Sequence, residues 1–312
     1  MPTKDTQNVK GLQNKNLSIG CRIAERIFGH AYRISEWIYN FRARFASSPV
    51  RVRIAGEEFI FDVPLSPGAG LDVAVHGIRE PYNVEFFVRV MRKLSPNVHV
   101  DIGANFGYYA TIAGRFASKV IAFEPQTWLE KYLRTNLDRE RAEYKIITAA
   151  VYPSKSGWVT IEVPEYHNLA RVSDSGSICV PAIPPEDIPR MVDGSWTLRM
   201  DIEGGEKHIL IPIIREAESL GNLPRYVFVE FHPRYVGEDF LRRVDRMFRD
   251  LGYSAYYIFD PARVLMCLPG WQIFGWLGYI GLWRESDPID ETMRRRWSVY
   301  CHYIKKDADF QL

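Results

Sequence analysis

The feature that most constrains the fold is a regular alternation of short apolar strands with helical stretches between residues 98 and 259. Because parallel strands need long crossover connections, this alternation predicts an α/β fold with a doubly wound, mostly parallel sheet. The predicted strands cover 98–102, 119–124, 144–151, 159–163, 197–202, 226–232 and 254–259. The predicted helices cover 106–117, 127–139, 205–220 and 237–251.

The N-terminal part of the chain has a different character. Residues 1–17 form a polar lead that we expect to be disordered, and 18–64 hold an amphipathic helix and a β-hairpin. Residues 1–50 contain eight Lys and Arg against three Asp and Glu, which is a charge of about +5. Such a helix packs on the domain or a second subunit, giving a homodimer, or lies on an anionic membrane as a peripheral contact through residues 18–45. The apolar stripe consists of Ile23, Ile27, Ile34, Ile38, Phe41 and Phe45.

Residues 65–285 are expected to form the main domain, in which 65–80 read as a loop, and 286–312 a C-terminal extension. No charged residue occurs between Val264 and Trp283, a length that would suffice for a membrane span. Because Pro269 and Gly270 interrupt this segment, a buried hairpin is the better interpretation.

Composition narrows the class of protein further. The 312 residues are 46% hydrophobic and 25% charged, with a net charge of +2, which excludes a disordered chain, a fibre and a coiled-coil rod. A charge so near zero gives no electrostatic case for nucleic-acid binding. The four cysteines include no CxxC pair, and the first residues lack an apolar signal core. A reducing cytoplasm is therefore the expected location.

The most informative segment is VHVDIGANFGYYATIAG, residues 98–114, in which a strand ends and a helix follows across a glycine-rich turn. Small residues at such a turn let the backbone approach a ligand and direct helix N–H groups at it. The pattern is DxGxNxG and lacks the third glycine of the dinucleotide fingerprint, which disfavours a dehydrogenase.

Glu124 ends the next strand, roughly twenty residues after the turn, where an acidic side chain accepts hydrogen bonds from ribose hydroxyls. Together with the turn, this position predicts a ligand that contains adenosine.

Four motifs in this order, VDIGANFGYYA, FEP, MDIEGGE and VEFHP, resemble the FkbM family of S-adenosylmethionine-dependent methyltransferases over roughly residues 80–260. The resemblance implies a class I methyltransferase fold, a Rossmann-like seven-stranded sheet with its last strand antiparallel. It also implies S-adenosyl-L-methionine as cofactor and O-methylation of a small molecule or sugar. A departure is Arg199, where family members often have lysine. The residues that match cofactor-binding positions are Asp101, Gly103, Ala104, Asn105, Gly107, Glu124 and Ala150.

A second set of polar residues lies at the ends of later strands. Asp201 follows one strand, and Glu230 and His232 point to one side of the next, so the three converge if these strands are neighbours. They then act as the catalytic set, with His232 or Asp201 as general base for the acceptor hydroxyl. A divalent metal site and a purely structural role stay open, and no metal ligand is assigned. Glu206 lies in a first helical turn, where an acid stabilises the helix.

The sequence therefore predicts an O-methyltransferase acting on a hydroxyl of a small molecule or glycan. The alternatives are a methyltransferase acting on RNA or protein, and a non-catalytic S-adenosylmethionine-binding partner subunit. The candidate acceptor contacts are residues 77–83, residues 165–177 and an aromatic tail, with Glu80, Tyr82 and His167 as hydroxyl partners. The aromatic tail consists of Trp271, Trp276, Tyr279 and Trp283.

Overall fold

The computed structural model describes residues 36–258 and 299–306. These residues form three sheets. The strands are β1 (Val50–Ile54), β2 (Glu57–Phe61), β3 (Val98–Ile102), β4 (Lys119–Phe123), β5 (Glu143–Ile147), β6 (Ala150–Val151), β7 (Trp158–Glu162), β8 (Arg171–Val172), β9 (Ile178–Ile183), β10 (Trp196–Met200), β11 (Tyr226–Phe231), β12 (Tyr253–Ile258) and β13 (Val299–Lys305).

Short helices connect the strands, and most of the predicted ones are confirmed with shifted ends. The α-helices are α1 (Ala69–His76), α2 (Pro81–Leu94), α3 (Tyr108–Gly114), α4 (Glu130–Leu137), α5 (Glu206–Ser219), α6 (Pro233–Val236) and α7 (Glu238–Asp250). Single 3₁₀ turns cover Thr127–Leu129, His167–Leu169, Pro185–Asp187 and Pro189–Met191.

The main sheet has seven strands in the order β12-β13-β11-β10-β3-β4-β5. The pairs from β11 through β5 are parallel, whereas β13 runs antiparallel to both of its neighbours. This confirms the α/β class I methyltransferase architecture that the resemblance implies, a Rossmann-like sheet with its last strand antiparallel.

Three strand assignments differ from the prediction. The antiparallel strand β13 comes from the segment assigned to a C-terminal extension, so the sheet continues past the predicted limit at residue 285. Residues 159–163 were expected among the alternating strands, but β7 belongs to a separate four-stranded sheet of order β6-β9-β7-β8. The predicted strand 144–151 is likewise divided, because the chain turns after Ile147 and Ala150–Val151 pairs with β9 instead.

Helices cover both faces of the main sheet, which confirms the doubly wound arrangement. One core contains buried residues of α2, α3 and α4 together with the hairpin β1-β2, and the other contains buried residues of α5 and α7. The hairpin turns at Ala55 and Gly56, as predicted. Burial of these apolar faces supplies most of the driving force for folding.

Residues 65–80 do not form the predicted loop throughout, because α1 lies within them. Ala69 and Val73 of this helix are buried, and Gly77 ends it in the left-handed conformation, φ 75°. The glycines on either side of α1 resemble loop signals, although here they mark the boundaries of a helix.

The predicted N-terminal helix is present at residues 36–43, the only part of it within the described residues. Tyr39 packs inward, and its hydroxyl donates a 2.8 Å hydrogen bond to Asp72. Trp37, Phe41 and Phe45 are exposed, and the Phe41 ring contacts the rings of both Trp37 and Phe45. Phe41 and Phe45 therefore do not pack against the described part of the domain. A membrane or homodimer contact through this helix stays a prediction.

Several sequence predictions fall outside the described residues. They are the disordered lead 1–17, the greater part of the N-terminal helix and the uncharged segment 264–283. In the part of the chain that the structure describes, no helix is long and apolar enough to cross a membrane.

Candidate functional site

A cleft lies at the carboxyl ends of β3, β4 and β10. Strand β3 pairs with β4 on one side and with β10 on the other, so the strand order reverses direction there. Open α/β sheets bind ligands at such a switch point. The predicted residues that line the cleft are Gly103, Ala104, Asn105, Glu124, Ala150 and Asp201.

The glycine-rich turn, residues 101–107, forms the floor of the cleft. Gly103 has φ 84°, and a Cβ atom there would lie 2.0 Å from the backbone oxygen of Asp201. Gly107 has φ 93°, and a Cβ atom there would lie 2.6 Å from Leu133 Cδ1. Neither position can hold a side chain without displacement of its neighbours, which explains why the turn needs glycine at both. Gly107 therefore serves packing behind the cleft.

Hydrogen bonds tie the turn to the end of β4. The amides of Gly103 and Ala104 donate to the Phe123 carbonyl at 2.9 and 3.0 Å. The Asn105 amide donates to Glu124 Oε2 at 2.8 Å, and the Gln126 amide donates to Oε1 at 2.9 Å. The Glu124 carboxylate is thereby fixed beside the turn as the sequence predicts.

Burial raises the pKa of Glu124 to about 7, against the opposing effect of the two amide donors. A buried carboxylate at this position is stabilised by any ligand that donates further hydrogen bonds to it, as the two hydroxyls of a ribose do.

Arg199 occupies the centre of the site. Its guanidinium donates to Asp101 Oδ1 at 3.3 Å, to the Gly103 carbonyl at 2.9 Å and to Asp201 Oδ2 at 2.8 Å. It also lies 4.7 Å from the centre of the Tyr109 ring. Burial raises the pKa of Asp101 to about 6 even though Arg199 opposes the shift. Asp101 thus lies beneath the cleft, where it holds Arg199, and its role in cofactor binding stays a prediction.

The sequence prediction noted Arg199 only as a departure from the family pattern and assigned it no role. One signal was available, because residues 199 and 201 lie two apart on a strand and point to the same side. The pairing of Arg199 with Asp101 across β10 and β3 required the sheet register.

Asp201, Glu230 and His232 do come together, because β10 and β11 are neighbours. His232 Nε2 lies 3.2 Å from Glu203 Oε2 and 3.7 Å from Glu230 Oε1, while Nδ1 lies 3.4 Å from Glu206 Oε1. We refer to this group as the acidic cluster, which comprises Asp201, Glu203, Glu206, Glu230 and His232.

Glu206 is fully buried and serves two purposes. Its Oε1 accepts hydrogen bonds from the amides of Ile202 and Gly204, the stabilising role expected of an acid at the start of α5. The same oxygen contacts His232 and fixes the orientation of its ring.

The charges of the cluster determine its protonation. Burial alone would lower the pKa of His232, but the hydrogen bond to Glu206 and the charges of Glu203 and Glu206 outweigh it and raise the pKa well above its ordinary value. Burial would raise the pKa of Asp201, but Arg199 and His232 hold it below its ordinary value. Burial raises the pKa of Glu203 to about 7. Asp201 is thus an ionised carboxylate at the cleft, and His232 lies behind it among carboxylates that raise the pKa of its imidazole.

The candidate acceptor residues lie deeper than a loop would suggest. Glu80 is buried, accepts a 2.7 Å hydrogen bond from the Tyr109 hydroxyl and pairs with Arg79 at 2.5 Å. Tyr82 and His167 are also buried, and burial lowers the pKa of His167 to about 4. Arg79 lines the cleft itself. The aromatic tail lies outside the described residues.

Comparisons with known proteins give structural neighbours only. No family model matches the chain, and no curated protein sequence matches it. A rRNA methylase from Streptococcus thermophilus has 10% identity and a TM-score of 0.41, covering 72% of this chain and 97% of that one. A putative methyltransferase from Streptococcus mutans, in complex with SAH, has 8% identity, a TM-score of 0.39 and coverage of 72% and 98%.

A precorrin-6y C5,15-methyltransferase from Geobacter metallireducens has 14% identity and a TM-score of 0.36, covering 71% of this chain and 86% of that one. Similarities this low do not carry function from one protein to another. The fold class therefore rests on the strand order of the chain itself.

Proposed function

We propose that this protein is an S-adenosylmethionine-dependent O-methyltransferase of FkbM type, which transfers a methyl group to a hydroxyl of a small molecule or glycan. The observation that carries the proposal is the Glu124 carboxylate, held by two amides beside the glycine-rich turn at the switch point of the sheet. The adenosine ribose binds to Glu124, and Ala150 flanks the adenine.

The protein does not need to form a covalent bond with the substrate, because the sulfonium group of S-adenosylmethionine already activates the methyl. Alignment of the acceptor oxygen with the methyl and the sulfur, with water excluded, supplies most of the rate enhancement. The acceptor hydroxyl must also lose its proton. Asp201 is ionised and lines the cleft, so we assign the base role to Asp201. His232 and Glu230 support it from behind.

Methyl transfer from labelled S-adenosylmethionine to a panel of polyhydroxylated metabolites and glycans tests the proposal. We expect Asp201→Asn to reduce turnover while S-adenosylmethionine still binds, and Glu216→Gln, a matched change outside the cleft, to leave both unchanged. Transfer to RNA or protein in place of hydroxylated small molecules would support the alternative acceptors. Cofactor binding without transfer to any acceptor would favour a non-catalytic partner subunit.

A further inference from the structure

The acidic cluster contains more carboxylates than the basic groups around it can neutralise as ion pairs. Both nitrogens of the His232 ring face carboxylates, Nδ1 toward Glu206 and Nε2 toward Glu203 and Glu230. Asp201 and Glu80 each have an arginine partner, Arg199 and Arg79, whereas three carboxylates of the cluster share a single imidazole.

The clearest sign is Glu230. It is 6% exposed, yet its Oε2 atom is buried without a hydrogen-bond partner among residues 36–258 and 299–306. Its other oxygen, Oε1, lies 3.7 Å from the same His232 nitrogen that faces Glu203. Burying a carboxylate oxygen without a hydrogen-bond partner costs folding free energy. A proton on His232 Nε2 would supply a hydrogen bond to Glu203 but none to Glu230 Oε2.

We propose that the acidic cluster binds one divalent cation of the Mg²⁺ and Mn²⁺ class. One ligand atom from each of Asp201, Glu203 and His232 lies within 4.8 Å of the other two. Ligands at 2.0–2.2 Å from an octahedral ion are about 3 Å apart, so small side-chain adjustments close the site. The ligands are His232 Nε2 and the carboxylates of Asp201 and Glu203, and Glu230 lies beside this set with its Oε1 atom 3.7 Å from His232 Nε2.

Neighbouring residues already orient the proposed ligands, as the residues around a metal site orient the groups that bind the ion. Glu206 accepts from His232 Nδ1, which leaves Nε2 free to bind the ion. Arg199 engages only Oδ2 of Asp201. Glu203 has φ 53°, a conformation uncommon for a residue other than glycine, and it directs the carboxylate at His232. Oxygen-rich sites with one imidazole suit hard and borderline divalent ions.

Binding of the cation does not require the proposed function, and it is tested without methyl donor or acceptor. The protein is treated with EDTA, dialysed and titrated with Mn²⁺ while electron paramagnetic resonance follows the free ion. We expect about one ion per chain, displaced by Mg²⁺, and affinity at least about tenfold weaker in Glu203→Gln. Glu216→Gln, which changes a half-buried acid paired with Arg190 outside the cleft, is the matched control and should bind as the wild type does.

Electron spin echo envelope modulation of the bound Mn²⁺ gives a second readout. We expect nitrogen coupling from one imidazole, lost in His232→Asn, with thermal melting followed by circular dichroism to confirm that each variant is folded. If His232→Asn does not fold, nitrogen coupling in the wild type together with the Glu203→Gln result decides the question. Absence of saturable binding, or binding unaffected by Glu203→Gln, would overturn the proposal. In that case a proton, and not a metal ion, would lie between the groups of the acidic cluster.

Discussion

The glycine-rich turn follows β3 and is bonded to the end of β4, whereas the acidic cluster lies at the ends of β10 and β11 and the start of α5. The two regions are built in different ways. The turn is held by backbone hydrogen bonds and by one carboxylate nineteen positions away from Asn105, so its geometry follows from a short stretch of sequence. The acidic cluster depends on side chains from two strands and the start of α5, which only the folded sheet brings together. The comparison teaches that the geometry of the glycine-rich turn is determined by local sequence, whereas that of the acidic cluster is determined by the register of the sheet.

Arg199 joins the two regions, so its removal gives the largest expected effect. Arg199→Met leaves Asp101 and Asp201 without their shared cation, and we expect the free energy of unfolding to fall by about 3–5 kcal/mol. Arg199→Lys keeps a charge and should cost clearly less. Urea denaturation measures both, with the exposed pair partner Arg190→Met as control. Equal losses for Met and Lys would show that the charge is not what joins the regions.

Gly103→Ala tests the backbone-built region directly. The new methyl group would meet the Asp201 carbonyl at 2.0 Å, and the residue would need φ 84°. We expect a loss of about 2–4 kcal/mol in unfolding free energy. Gly56→Ala is matched in backbone conformation, but no atom of the described residues lies within 4 Å of the new methyl group, so it should cost only about 1 kcal/mol. Similar losses at both positions would contradict the close approach of the turn to β10.

Glu124→Ala separates ligand binding from stability. It removes a charged acceptor for the ribose, and we expect S-adenosylmethionine affinity to fall by about 10- to 100-fold. Glu130→Ala, which removes a surface acid paired with Arg134, should leave affinity unchanged. Calorimetric titration measures the two variants, and unchanged affinity in Glu124→Ala would remove the ribose assignment.

The pH dependence of binding gives the smallest effect. Because burial raises the pKa of Glu124 to about 7, the ionised form that accepts ribose bonds is complete above this pH and is lost as the pH falls through it. Affinity should therefore fall by about tenfold between pH 8 and pH 6. Titrations of wild type and Glu124→Gln over this range check the assignment, since the variant should lose most of this dependence.

The sequence was sufficient for the architecture and for the position of most residues predicted to line the cleft. Apolar alternation predicted the doubly wound sheet, and strand ends followed by turns placed Asp101, Glu124, Asp201 and His232 at one edge. The antiparallel strand β13 was missed because it lies beyond the alternating segment, and β7 was assigned to the wrong sheet because strand periodicity does not specify a partner.

The remaining site residues could not be predicted because they depend on contacts between distant segments. The raised pKa of His232 follows from Glu203 and Glu206, two acids that look like ordinary helix-start residues in sequence. Arg199 acquires its role only when β10 pairs with β3 in the observed register. Burial, which sets most of the pKa shifts, is likewise a property of the fold.

The most direct test of the central claim is a calorimetric titration of the full chain with S-adenosylmethionine, alongside an identical titration with NAD at pH 8. The account predicts saturable binding of one S-adenosylmethionine per chain and no binding of NAD, since the turn lacks the third glycine and Glu124 receives the ribose. Absence of S-adenosylmethionine binding, or preferential binding of NAD, would contradict it.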